Sequence, residues 1–286
     1  MNQEATEVIA LILGQTVDVN SVNTVGGGCI SSSYKVSTSE GSYFLKKASG
    51  REIAFLRCEE RGLEELQLCK DIRTPQCLGF TEFDGSGYLL LEHLELTRHN
   101  SKSQRSLGKH LALMHKITAE KHGFHEDNFI GSHPQINDWY DDWIEFFINC
   151  RLMPQANNTG DQRVIQKAGK LSSRLNDFFD GYSPQPSLLH GDLWEGNSSA
   201  LRDETPVIFD PAVYYGDRET DIAFTEMFGG FTSEFYKSYN EEFPLNEGYR
   251  IRKDLYQLYH YLNHANIFGG SYLSSSNRIL DNLLNH

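Results

Sequence analysis

The sequence predicts an α+β, bilobed fold: a small strand-rich first lobe around one main helix, then a larger and mostly helical second lobe. Three observations predict it. Residues 1–95 carry short alternating or apolar runs of strand length, interrupted by one amphipathic helical stretch. The polar stretch Thr97 to Ser106 follows and divides the chain into 1–95 and 96–286. Beyond it, amphipathic stretches of helix length dominate, with two short apolar strands among them.

In order, Ser33 to Ser37 and Tyr43 to Lys47 read as strands joined by the turn residues Thr38 to Gly41. From Arg51 to about Cys69 the spacing becomes helical, with Leu56, Leu63 and Leu66 on one face. Tyr88 to Leu91 is a continuous apolar strand. In the second lobe, helices are expected over Leu107 to Ile117, Trp139 to Arg151, Val164 to Phe179, Ile222 to Tyr239 and Arg250 to Phe268. The two strands there are Ser187 to His190 and Val207 to Asp210.

The 286 residues are long enough to bury a sizeable core, and 39% hydrophobic content marks an ordinary globular chain. Lysine and arginine total 26 against 39 acidic residues, a formal charge of -13, which disfavours nucleic acid and anionic membrane partners. The apolar run Val8 to Leu13 lacks a basic flank and is far shorter than the ~20 residues of a membrane span, so the chain reads as untargeted and cytoplasmic. Five sparse cysteines without a CxxC pair read as reduced thiols, not a zinc site.

The chemistry is carried by LLHGDLWEGN, Leu188 to Asn197, followed by VIFDPA, Val207 to Ala212. This reproduces the H-x-D-L-x-x-x-N spacing of a kinase catalytic loop, with Gly191 in place of arginine and a second aspartate, Asp210, ending the next strand. Phosphoryl transfer needs a carboxylate to orient the attacking hydroxyl and accept its proton, which falls to Asp192. It also needs hard oxygen ligands for Mg2+, which Asn197 and Asp210 would supply from opposite sides of one hairpin. Either Asp192 or Asn197 alone would read as a turn residue; the combined spacing is far more specific. His190 reads as a loop anchor.

A kinase-like site requires a nucleotide clamp in the first lobe. Gly26-Gly27-Gly28 offers backbone amides to phosphate, Gly27 and Gly28 above all, although most such triplets are hairpin turns. Lys46 can reach the α and β phosphates of ATP while Lys47 points to the opposite face. Glu59 interrupts the apolar stripe of its helix, and a carboxylate there calls for Lys46 as partner unless it rotates outward beside Glu60. Leu91 to Leu94 closes the strand leaving the lobe, where backbone groups of Glu92 and Leu94 meet the edge of adenine.

The chain resembles the fructosamine kinase (ketosamine-3-kinase) family, within the protein-kinase-like fold that also holds aminoglycoside phosphotransferases and choline kinases. FLK at Phe44 to Lys46, DNFIG at Asp127 to Gly131, DDWIEFF at Asp141 to Phe147, RLMPQ at Arg151 to Gln155, HGDLWEGN, the segment Phe209 to Phe231 and YHYLNHANIFGG at Tyr259 to Gly270 carry the likeness. The resemblance implies ATP-dependent phosphorylation of a ketosamine at the third sugar carbon. The product decomposes and frees the amine, so the reaction is a deglycation. It implies Asp192 as base, Asn197 and Asp210 on magnesium, and Lys46 with Glu59 as the phosphate-orienting pair. Trp194 and His264 would flank the acceptor sugar, with ribulosamines and erythrulosamines preferred over fructosamines.

On residue type alone, Trp194 serves equally as a core anchor and His264 as a structural histidine. Asp217 and Asp221 read as helix caps, with Asp221 bracing the catalytic loop by the kinase-fold analogy. Asp210 is followed by Pro-Ala and no A-P-E motif follows, which argues against a regulated protein kinase. Cys29 resembles the oxidation-responsive cysteine of some members; unchanged ATP affinity after peroxide would remove that idea. A monomer is expected, with a dimer through Cys29 as the alternative. The competing functions are an aminoglycoside- or choline-type phosphotransferase and a catalytically silent nucleotide- or sugar-amine-binding protein.

Overall fold

The computed structural model describes residues 2–26 and 31–286. Helix α1 (Asn2–Leu13) precedes strands β1 (Val19–Val25), β2 (Ser32–Thr38) and β3 (Ser42–Ser49); helix α2 (Ile53–Leu66) then leads to β4 (Cys77–Phe83) and β5 (Ser86–Glu92). The strands form one antiparallel sheet in the order β1-β2-β3-β5-β4. Period-two alternation divides its side chains between the two helices. Leu45, Tyr88 and Leu90 pack with Ala5, Val8 and Ile9 of α1, whereas Ala48, Leu89 and Leu91 pack with Leu56 and Leu63 of α2. Covered on both faces, β5 is apolar from Tyr88 to Leu91.

The second lobe begins with α3 (Ser101–Met114), whose Asn100 cap accepts from the amides of Lys102 and Ser103 at 2.9 and 3.0 Å. The hairpin β6 (Asn128–Ile130) and β7 (His133–Gln135) leads to α4 (Trp143–Phe146), a π-helical turn at Phe147–Leu152, α5 (Met153–Asn158) and α6 (Gln162–Ser172). Asp142 caps α4, so helix begins there and not at Trp139 as the spacing predicts. Pro154 has no N–H to return to the Cys150 carbonyl, which accepts instead from Arg151 Nη1 at 3.0 Å.

Two small ladders carry the loops that matter. Strand β8 (Ser187–Leu189) pairs with β11 (Tyr214–Gly216), and between them in sequence β9 (Ser198–Ala200) pairs with β10 (Pro206–Ile208). Helices α7 (Glu219–Thr225), α8 (Ser233–Glu242), α9 (Tyr249–Phe268) and α10 (Ser271–Leu284) complete the lobe. The single helix expected over Ile222 to Tyr239 is therefore two. Gly229 and Gly230 separate them with φ of +78° and +91°, values that only glycine adopts freely. Helices α1 and α10 and strands β1 and β4 were not predicted by the spacing.

Among the described residues, no helix is long and apolar enough to cross a membrane.

Candidate active site

The loop 190–197 leaves β8 and the loop 209–213 leaves β10, and the two lie against each other. The Ala212 amide donates to the His190 carbonyl at 2.9 Å and the Phe209 amide to the Asn197 carbonyl at 3.1 Å. Gly191 stands at the tightest point, with φ +79°; a Cβ there would lie 2.0 Å from the Ala212 carbonyl oxygen. That approach accounts for glycine where protein kinases carry arginine. Asp221, inside the first turn of α7 and not at its cap, accepts from the amides of His190 and Gly191 at 2.8 and 2.9 Å. The Asp192 amide donates to His190 Nδ1 at 3.2 Å, so His190 Nε2 is the atom that donates to the Phe209 carbonyl at 3.0 Å. This histidine is fully buried and burial holds it neutral, as an anchor should be.

Lys46 projects from β3 toward α2 and the second lobe. Its Nζ lies 2.7 Å from Glu59 Oε1 and 2.5 Å from Asp210 Oδ1, while Lys47, on the opposite face, pairs with Glu4 of α1 at 2.6 Å. Alternation thus separates the two lysines onto opposite faces as expected, although Lys47 is covered by α1 and not left in solvent, and Glu59 turns inward. Burial pulls the Lys46 ammonium down, but Asp210 and Glu59 outweigh it and keep it charged. Burial raises Glu59 to about 7 against the pull of Lys46. Asp210 is held low: Lys46 overcomes the desolvation of its carboxylate. Asp210 adopts φ +56°, uncommon for a residue with a Cβ, and its side chain remains 48% exposed, so the pair is open on the cleft side.

Helix α2 is fixed for this task from below. Tyr215 donates to Glu65 at 2.6 Å, Phe55 meets Phe129 edge-on at 4.2 Å, and Gly62 lets the helix approach Pro211, whose Cγ would stand 3.1 Å from an added Cβ.

Asn197 Nδ2 donates to the Asp192 carbonyl at 2.9 Å and to Asp192 Oδ2 at 3.0 Å. Burial raises the Asp192 carboxyl well above its ordinary value, only partly offset by that amide. Asn197 Oδ1 receives no hydrogen bond from any described residue and, with Asp210, supplies hard oxygen donors. Among the described residues no cluster of three or more His, Cys, Asp or Glu forms a metal cage. One carboxylate plus one amide suits Mg2+, which keeps waters and phosphate oxygens for its remaining positions.

Beyond Asp192, the Trp194 ring folds over Gly196, where a Cβ would meet the indole at 2.4 Å. It stays 40% exposed and meets Phe228 at 6.2 Å; Phe228 in turn meets His264 at 5.2 Å. Trp194 and His264 therefore share one aromatic wall, and Phe228, between α7 and α8, is the member that sequence reasoning missed. His264 donates from Nδ1 to the His260 carbonyl at 2.8 Å, leaving Nε2 as an acceptor, and burial keeps the ring neutral.

Glu92 ends β5, where its amide donates to the Gln76 carbonyl at 2.9 Å and its side chain pairs with Arg73. That amide is committed to the fold, whereas Leu94 lies past the last strand pairing. Gly27, Gly28 and Cys29 lie outside the described residues.

Compared with known proteins, the chain matches the fructosamine kinase family model over residues 1–286. It is 38% identical over 290 residues to a Synechocystis protein named "Probable ketoamine kinase", covering 99% of this chain and 96% of that one. It is also 38% identical to the chloroplastic protein-ribulosamine 3-kinase of Arabidopsis thaliana, covering 99% and 89%. A crystal structure of a candidate fructosamine-3-kinase from Haemophilus somnus superposes with a TM-score of 0.89 at 29% identity, over 98% of this chain and 96% of that one. The aminoglycoside phosphotransferase APH(4)-Ia, at 16% identity and TM-score 0.64 over 98% of each chain, shares the fold alone. With a kinase-like cleft built from Lys46, Glu59, Asp192, Asn197 and Asp210, this chain belongs to the fructosamine kinase family.

Proposed function

We propose that this protein is an ATP-dependent ketosamine kinase that phosphorylates a sugar hydroxyl of ribulosamines, erythrulosamines or fructosamines and so acts in deglycation. The observation that carries the reading is the convergence of Asp192, Asn197, Lys46 and Asp210 on one cleft, in a chain of this family. A catalytically silent binding protein would be expected to lack at least one of the four.

Residues 1–95 serve as the nucleotide clamp and 96–286 as the catalytic and acceptor lobe. Asp192 receives the proton of the acceptor hydroxyl as its oxygen attacks the terminal phosphorus of ATP, and the P–O bond to ADP breaks on the opposite side. Lys46, held by Glu59, neutralises the α and β phosphates. Asn197 and Asp210 would hold Mg2+, which when bound neutralises charge on the phosphate oxygens. Trp194 gives a flat apolar face to the sugar, and His264 Nε2 accepts a hydrogen bond from a sugar hydroxyl. The Leu94 backbone and the Glu92 carbonyl face adenine, and Gly27 and Gly28 serve the phosphates. A monomer in the cytoplasm completes the reading.

ADP release tests it, measured with ribulosyl-lysine, fructosyl-lysine, an aminoglycoside and choline. Turnover with the ketosamines, ribulosyl-lysine foremost, is expected. Turnover with the aminoglycoside or choline and with neither ketosamine would overturn the substrate class.

A further inference from the structure

The catalytic loop carries one acidic side chain that the reaction above leaves unused. Glu195 follows Trp194 and precedes the Gly196–Asn197 pair, three residues beyond Asp192. Its carboxylate is solvent-exposed and makes no hydrogen bond or ion pair with any described residue. The other acids of this region are engaged: Asp192 by Asn197, Asp210 by Lys46, Asp221 by two amides. Exposed acids further out find cations too, as Glu204 does with Lys102 and Glu95 with Arg202.

Glu195 is nonetheless held in place. Its side chain lies along Gly230, so closely that a Cβ on that glycine would stand 2.6 Å from both its Cβ and its Oε2. The Gly230 carbonyl accepts from Gln104 Nε2 at 3.2 Å, which ties this turn to α3. The same α7–α8 turn supplies Phe228, the ring that joins Trp194 to His264. A carboxylate seated at the edge of the acceptor wall, without a cation partner among the described residues, is free for whatever the acceptor brings.

We infer that Glu195 is a specificity-determining residue that recognises the protonated amine nitrogen of the ketosamine. The inference rests on the ketosamine reading and deepens it. In such a substrate the reacting oxygen sits on the third sugar carbon and the nitrogen on the first, four single bonds apart, a reach of about 5 Å when extended. Three loop residues span at most about 11 Å, so side chains at 192 and 195 can address the two ends of one small molecule. The nitrogen is a cation while protonated, and an ammonium beside a carboxylate makes a charge-assisted hydrogen bond. Acceptors with an ether or hydroxyl at that position gain nothing from Glu195.

The test compares ribulosyl-lysine with the 1-O-butyl ether of ribulose, which puts a neutral oxygen where the nitrogen stands. Glu195→Gln is expected to raise KM for ribulosyl-lysine about tenfold, the size of one charge-assisted contact, while moving KM for the ether less than about twofold. Glu195→Asp is expected to restore part of the preference. In the natural protein, KM for ribulosyl-lysine should rise with pH as the substrate amine loses its proton, and this rise should vanish in Glu195→Gln. Equal KM changes for both acceptors, or none, would overturn the inference. Failure of the natural protein to accept ribulosyl-lysine at all would instead overturn the ketosamine reading.

Discussion

Two buried charge networks in this molecule have similar ingredients and opposite designs. In the cleft, Lys46 bridges Glu59 and Asp210, and the Asp210 end opens to solvent. Behind it, Arg252 of α9 grips Glu219 of α7 through two bonds of 2.7 and 2.9 Å, with both side chains at most 1% exposed. The second network is closed on every side. Arg252 also donates to the Phe178 carbonyl and to Asn246 at 3.2 Å each and stacks on Tyr182 at 4.0 Å. Asp217, two residues before Glu219, accepts from Tyr182, Tyr256 and the Glu219 amide. A network whose donors and acceptors all find protein partners serves architecture; one left open on a single side can exchange a protein partner for a ligand.

The sharpest way to break that contrast is to remove one cation from each network. Arg252→Met strands Glu219 in a dry interior and is expected to cost about 3–5 kcal/mol of stability, read by denaturant unfolding, with kcat per folded molecule nearly kept. Lys46→Met is expected to do the reverse. Turnover should fall about 10²–10³-fold through lost phosphate stabilisation, while stability falls less than in Arg252→Met, because Asp210 reaches water and the stranded Glu59, already raised to about 7, can take up a proton. Equal stability losses in the two variants would refute the distinction.

Outside both networks, one buried histidine of the second lobe contributes to the response to acid. Burial lowers His122, packed on Trp143, to about 4 despite the nearby Asp142 carboxylate. Between about pH 6.5 and pH 4 the unfolded chain therefore binds a proton that the folded one refuses. Stability is full above pH 6.5 and declines as the pH falls toward 4, by roughly 3 kcal/mol at most from this residue. Urea unfolding at pH 7.5 and 5.0 measures it, and His122→Gln should flatten part of the slope. The smallest effect belongs to the open aromatic wall. Trp194→Ala is expected to raise KM for a ribulosamine about five- to tenfold, in the range of one aromatic contact, without changing the thermal midpoint.

The open network was legible in the sequence because each member obeys a local rule. Strand alternation separates Lys46 from Lys47, and a carboxylate interrupting an apolar helical stripe marks Glu59. A hairpin places Asn197 and Asp210 on facing loops. The closed network and the wall were not legible in that way. Arg252 and Glu219 meet across two helices without periodic relation, and Phe228 reaches Trp194 only because Gly229 and Gly230 break what reads as one amphipathic helix. Helix α1 looked like a short apolar run, since its apolar face makes sense only beside Leu45, Tyr88 and Leu90. At Glu92 the likeness to a kinase hinge was misleading for the amide, which the Gln76 carbonyl already occupies.

In the proposed reaction Asp192 is the group that takes the proton of the acceptor hydroxyl. Asp192→Asn, with its hydrogen bond to Asn197 preserved in shape, is measured for ribulosyl-lysine-dependent ADP release and, in parallel, for ATP affinity. Turnover should fall about a hundred- to ten-thousandfold, the range of general-base catalysis, with ATP bound as tightly as before. A variant that turns over within about twofold of the natural protein, where loss of the base demands far more, would contradict the account.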